Sequence, residues 1–168
     1  LDISQIRAGK IKPMPTSISV VDICNTVLTD IEKTAQDSGV GFNKKFGAGN
    51  ESVWCDSNHI IKILTVLFDS ALEVTPAGGA IETDLKLDGD RTLITISGIK
   101  SALVTDRHKE DPSSLGEFEN YLSNKQHDSG LGLSLAKQLA ELNGGGIALE
   151  SDDSLKTSFV LTLPEKKA

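Results

Sequence analysis

Two glycines one residue apart, Gly130 and Gly132, stand where an apolar helical pattern begins, in the run Asp128-Ser129-Gly130-Leu131-Gly132-Leu133-Ser134-Leu135-Ala136. Residues without a Cβ let backbone come close to a ligand. A helix that starts beside them turns free N–H groups and the positive end of its dipole toward any phosphate. Alone, such a pair is also what a plain turn before a helix looks like, so its surroundings must decide between the two. The other reactive residue types are scattered. Cys24 and Cys55 have no Cys or His at chelating spacing and read as reduced thiols that behave as small buried hydrophobes. His59, His108 and His127 lie too far apart in sequence to define a metal site or a Ser-His-Asp arrangement, and read as surface histidines.

The bulk composition narrows the function classes. A formal net charge of −7 over 168 residues argues against nucleic acid as a partner, because backbone binding depends on Lys and Arg neutralising phosphates. No apolar run reaches the roughly 20 residues of a membrane span, so no direct membrane contact is expected. The first residues, Leu1 to Arg7, lack the basic, apolar and small-residue regions of a signal peptide. They also lack an initiating Met, and the chain reads as a cytoplasmic fragment of a longer protein.

The elements that must position the glycines follow from periodicity. Leu1, Ile3 and Ile6 fall at helical spacing before Gly9 and Pro13. Val20, Ile23, Cys24, Val27, Leu28 and Ile31 predict a helix stopped by Gly39, and Ile60, Ile63, Leu64, Leu67, Phe68 and Ala71 predict another. Asp56-Ser57-Asn58 supplies cap oxygens for the second, which ends before Pro76. Between these helices, 40–46 and 52–55 read as strands joined by Gly47-Ala48-Gly49-Asn50, a hairpin. Alternating runs at 80–87 and 92–96, split by Asp88-Gly89-Asp90, predict a second hairpin. Residues 100–128 turn polar without a period and read as a long loop or lid. Helical spacing resumes over 131–142, and strands are expected at 146–150 and 157–163. The order predicts an α+β two-layer sandwich, a mixed and mostly antiparallel sheet with helices on one face.

In this setting the Gly130 segment, with Leu142-Asn143-Gly144-Gly145-Gly146 after its helix, resembles the second glycine box of sensor histidine kinases of the GHKL ATPase group. The flanks fit the same family. Leu1 to Lys10 looks like the end of the second dimerisation helix and its linker. Cys55-Asp56-Ser57-Asn58-His59 is similar to the family's Gly-Asp helix entry, Thr75-Pro76-Ala77-Gly78-Gly79 to the end of its N box, and Glu117-Phe118-Glu119-Asn120-Tyr121 to the aromatic box of its lid. The resemblance implies a Bergerat fold, with 1–14 as helix end and linker, 15–168 as an ATP-binding-like catalytic domain, and a lid near 99–129. ATP and Mg²⁺ are the cofactors it implies. Its implied partners are the upstream dimerisation and phosphoacceptor helices, and a receiver domain or another kinase; the parent is expected to be a homodimer and the fragment a monomer.

Two boxes depart from the family. Ser70 stands where the N box carries the Asn that ligates Mg²⁺, and Glu73 where a Lys or His is common; a Ser hydroxyl is the poorer ligand for a hard cation. Glu73, three residues on, shares a helix face with Ser70; it reads as a solvated surface Glu or, alternatively, as a candidate co-ligand that recruits the metal, whereas Asp69 is turned away. After the strand that ends at Ile96, Gly98 replaces the Asp that recognises adenine, and Lys100 and Ala102 replace the two glycines of the first glycine box. A lost bond to a charged acceptor costs about 1.5–3 kcal/mol. The candidate nucleotide-contacting residues are therefore Ser70, Glu73, Gly98 and Gly130-Leu131-Gly132-Leu133, with Ser70 and Glu73 as the candidate metal pair. The pattern leaves two functions open, a kinase module passing the ATP γ-phosphoryl to a His upstream, and a pseudokinase-like regulatory module.

Overall fold

The computed structural model describes residues 3–46, 52–100, 128–152 and 155–164. In chain order the elements are α1 (Ile3–Arg7), β1 (Thr16–Ser19), α2 (Val20–Asp37), β2 (Gly41–Lys45), β3 (Ser52–Cys55), α3 (Ser57–Val74), β4 (Ala80–Asp88), β5 (Arg91–Ile99), α4 (Asp128–Leu142), β6 (Gly146–Asp152) and β7 (Lys156–Pro164). Helices form where the apolar stripes and caps dictate. Ser19 caps α2 by accepting the Asp22 N–H at 3.3 Å, and the helix buries Val20, Cys24, Val27, Leu28, Ile31 and Ala35. It stops at Ser38, after which Gly39 takes φ 73, a left-handed conformation that suits glycine. Asp56 caps α3, whose buried face carries Ile60, Ile63, Leu64, Leu67, Phe68 and Ala71.

The main sheet has five strands in the order β2-β4-β5-β7-β6. Its β2-β4 pair is parallel and the other pairs are antiparallel. The expected hairpin of β4 and β5 forms, turning at Gly89 with φ 65. The expected hairpin of 40–46 with 52–55 does not. Instead β2 lies parallel to β4, and β3 pairs antiparallel with β1, a strand that periodicity missed, in a separate two-stranded sheet. A parallel neighbour needs a crossover rather than a tight turn, and α3 provides it. The turn at 47–50 lies outside the described residues.

Strand alternation puts one sheet face under the helices. Ile94 and Ile96 of β5 stand beside Leu161 and Phe159 of β7, all fully buried against α3, and Phe68 of α3 meets Phe42 of β2 with ring centroids 6.2 Å apart. Thr83 and Thr92 share this face with hydroxyls that find no hydrogen-bond partner, so it is their β-branched shape that fits the strand. The result is the two-layer α+β sandwich that the element order predicts. Ile6 of α1 joins the same core at 8% exposure, and α1 packs on α4. No described helix is long and apolar enough to cross a membrane.

Candidate functional site

The end of α3 and the end of β5 meet in a seam with no room for a side chain. Thr75, the C-cap of α3, is buried, and its hydroxyl donates to the Ala71 carbonyl at 2.6 Å. Gly98 lies directly against it: a Cβ there would overlap Thr75 Oγ1 and stand 3.1 Å from both the Ala71 carbonyl oxygen and Val74 Cγ2. Gly79 is equally confined, since its Cβ would come within 2.5 Å of the Ile99 carbonyl oxygen and 2.8 Å of Thr75 Cγ2. Real Cβ atoms do not approach that closely, so both positions accept only glycine at this spacing. Thr75, read in the sequence only as part of the N-box ending, was not among the candidate site residues. It was legible only as the Thr of a helix-ending Thr-Pro pair.

Ser70 and Glu73 are not brought together. Ser70 is buried at 1% exposure and its hydroxyl donates to the Val66 carbonyl at 2.8 Å, whereas Glu73 is exposed. Glu73 falls instead beside Asp69, one turn earlier on the outer face. Partial desolvation, and then the Glu73 charge, raise the Asp69 pKa above the ordinary carboxylate value. Asp69 faces away from Ser70, and Glu73 lies at the solvated helix surface. Among the described residues no three His, Cys, Asp or Glu side chains converge as a cation site. Lys100, in the place of the family's first glycine, is 8% exposed, and its N–H donates to the Leu155 carbonyl at 2.8 Å.

The second glycine segment is helical throughout rather than placed ahead of the helix. Because α4 begins at Asp128, Gly130 lies in its first turn, and Gly132 is far enough inside for its N–H to face the Asp128 carbonyl in the i to i−4 ladder. Only the N–H groups at the very start of α4 remain without an intrahelical acceptor. Gly132 also faces α3, and a Cβ there would stand 3.4 Å from Val66 Cγ1. It thus sits at the contact of α3 and α4, the most extensive helix contact among the described residues. Leu133 is fully buried in the core; of Leu131 only the helical backbone is described.

Of the segment expected as a lid, Ile99 belongs to β5 and Asp128 and Ser129 to α4. Residues 101–127, with Ala102, His108, His127 and the aromatic box at 117–121, lie outside the described residues. His59 is not a surface residue: it is 9% exposed and held in a polar cluster at the start of α3. Both cysteines are buried, and desolvation pushes each thiol up to about 12, with the Asp56 charge adding to the effect at Cys55.

Comparison with known proteins agrees with this architecture. Residues 55–167 match the family of histidine kinase-, DNA gyrase B- and HSP90-like ATPases. An uncharacterized sensor-like histidine kinase of Rhizobium meliloti is 26% identical over 164 residues, covering 98% of this chain and 31% of that protein. The sensor protein DivL of Caulobacter vibrioides is 30% identical over 167 residues, covering 98% of this chain and 21% of its own length. The chain therefore spans a third or less of these relatives. Among solved structures, the catalytic domain of histidine kinase ThkA superposes with a TM-score of 0.72 at 17% identity, covering 90% of this chain and 95% of that one. Full-length ShkA in complex with AMPPNP superposes at 0.78 with 15% identity, covering 98% of this chain and 34% of that one. With more than half its length matched and the sheet order and helical layer in place, the chain belongs to the histidine kinase-, DNA gyrase B- and HSP90-like ATPase family and has the fold of a histidine kinase catalytic domain.

Proposed function

We propose that this chain is the ATP-binding-type domain of a two-component sensor histidine kinase in which nucleotide binding is impaired or absent, so that it acts as a pseudokinase-like regulatory module. The observation that carries this reading is the seam of α3 and β5. The position that recognises the adenine amino group in the family is a glycine here, and a Cβ at it would overlap Thr75 Oγ1. The metal side supports the same conclusion, since Ser70 offers a buried hydroxyl already bonded to Val66, and Glu73 lies on the outer face. A hard cation needs several oxygen donors, so these residues do not fit Mg²⁺ or the ATP that it accompanies. On this reading the domain works on the cytoplasmic side, through surfaces offered to the upstream dimerisation and phosphoacceptor helices of a homodimeric parent. A receiver domain or another kinase is the next partner, and the isolated chain is a monomer.

The retained Gly130-Leu131-Gly132 segment favours a second reading, an active module that passes the γ-phosphoryl of ATP to a His of the dimerisation domain. Phosphoryl transfer depends on positioning and charge neutralisation, which is why the metal position matters most. Thermal unfolding with and without millimolar Mg-ATP separates the two. The regulatory reading expects no shift. A ligand at 100 times its Kd stabilises by about 2.7 kcal/mol, roughly 5–11 °C for a chain of this length, and a shift of that size overturns the first reading for the second.

A further inference from the structure

A buried clasp of Asp56, His59 and Asn143 joins three stretches of chain far apart in sequence. Asp56 Oδ1 accepts the N–H groups of Asn58 at 3.0 Å and His59 at 3.3 Å, capping α3. Its Oδ2 accepts the Met14 N–H at 2.9 Å, and its own N–H donates to Asn143 Oδ1 at 2.9 Å. Asn143 follows directly on α4; its Nδ2 donates to the Leu139 carbonyl at 2.8 Å and meets His59 Nδ1 at 3.1 Å. A backbone N–H can only donate and a backbone carbonyl can only accept, so the Asn143 amide has one possible orientation. His59 Nδ1 is then the acceptor. Its ring proton sits on Nε2, 3.8 Å from Asp56 Oδ2. Burial works against the charge on Asp56, but the backbone N–H groups of Met14, His59 and Asn58 outweigh it and hold its carboxyl below the usual range.

The segment ahead of β1 reaches α4 twice. Its helix α1 packs on α4 through buried Ile6, and Met14 reaches the end of α4 through Asp56 and Asn143. Residues 8–10 between these points are exposed, and Met14 holds the clasp by its backbone alone, its side chain being 80% exposed.

We propose that Asp56 and Asn143 are positioning residues through which the segment before β1 and the C-terminal turn of α4 report on each other. With the Met14 N–H in place, the Asp56 carboxylate is shared between the strap and the α3 cap, and the Asn143 amide is locked. When the strap leaves, Oδ2 loses its donor and turns to the His59 Nε2–H. The ring is then drawn off the Asn143 amide, and the last turn of α4 loosens. This inference does not depend on nucleotide binding, and stands or falls apart from the function proposed above.

Two variants of the whole chain test it. Met14→Pro removes the donor while leaving no buried side chain to lose. Asp56→Asn keeps a carbonyl for the α3 cap but turns an NH₂ group against the Met14 N–H. In both, amide exchange at Asn143 and Gly144, which bond back into α4, should quicken at least about fivefold, with α2 unchanged. The unfolding constants of Met14→Pro and Asn143→Ala should combine to less than their product by a similar factor, since independent sites multiply within about twofold. Unchanged exchange at Asn143 and Gly144 in both variants overturns the proposal. Should Asn143→Ala not fold, the exchange data on the other two variants decide by themselves.

Discussion

Replacing Gly98 by alanine should destabilise the domain through a single named contact. The added Cβ overlaps Thr75 Oγ1 and presses on Ala71 and Val74 from 3.1 Å, in a seam where Gly98 is already buried. Overpacking of this kind costs about 1–3 kcal/mol. Thr75 can give way only by turning its hydroxyl off the Ala71 carbonyl, which forfeits a further 0.5–1.5 kcal/mol or about that. Together these come to about 2–4 kcal/mol, a fall in Tm of roughly 4–16 °C for a chain of this length. Gly98→Asp should fall further, because its carboxylate enters the seam without a donor. Calorimetry of Gly98→Ala, Thr75→Ala and the double variant is the assay. Thr75→Ala removes the overlapping oxygen, so Gly98→Ala should cost less in that background by about 1 kcal/mol, the scale of coupling between residues in contact. An unaltered Tm for Gly98→Ala, or full additivity of the pair, would refute the seam as drawn.

Two further outcomes follow from the charged and reactive groups. The pKa of Asp69 is raised in the fold, so its ionisation works against folding as pH climbs from the unfolded carboxylate value to the raised one. Asp69→Asn should therefore raise Tm at pH 7 and leave it unchanged at pH 3, as read by thermal scans at the two pH values; a gain of equal size at both would show that charge is not the cause. Thiols at about 12 instead of 9.0 hold about 1000-fold less thiolate, so Cys24 and Cys55 should react with a disulfide reagent only as the protein unfolds. Stoichiometric labelling within minutes under native conditions would contradict their burial.

The helices were legible in the sequence because each signal is local. The apolar stripe of α3, its Asp56 cap and its stop before Pro76 all lie within one turn of the residues they organise. The β4–β5 hairpin was legible for the same reason, its turn lying between two alternating runs. The partners of β2 and β3 were not. Alternation tells which face of a strand is buried, but not which strand lies beside it, and proximity favoured a hairpin. Phe42 stands beside Ile81 across a helix crossover, and β3 pairs with a strand on the far side of α2. That strand, Thr16–Ser19, has only Ile18 as an apolar residue and no alternation to announce it. Ser70 and Glu73 show the limit of helical spacing itself. Positions three apart are offset by roughly 60° on the wheel, enough to straddle the edge of a buried face, so one lies inside and the other out.

Glycines carry the least information of all, and the two most informative ones here gain a different meaning from their neighbours. Gly98 touches α3 at Thr75 and Gly132 touches α3 at Val66, two turns and more apart on one helix. A side chain at position 98 would push β5 away from α3 and open the layer that buries Leu67, Phe68 and Ala71, whereas a Cβ at position 132 would make ordinary contact with Val66. Gly98 is thus required by strand packing, with or without a phosphate nearby, while the packing around Gly132 leaves room for a Cβ. Packing by itself therefore demands neither a glycine at position 132 nor a carboxylate at position 98. The residues that discriminate kinase from regulator are accordingly the ones with a side chain to offer the ligand. At position 70 that side chain is a hydroxyl turned back on its own helix, and at position 98 it is missing, where a Cβ would overlap Thr75 Oγ1.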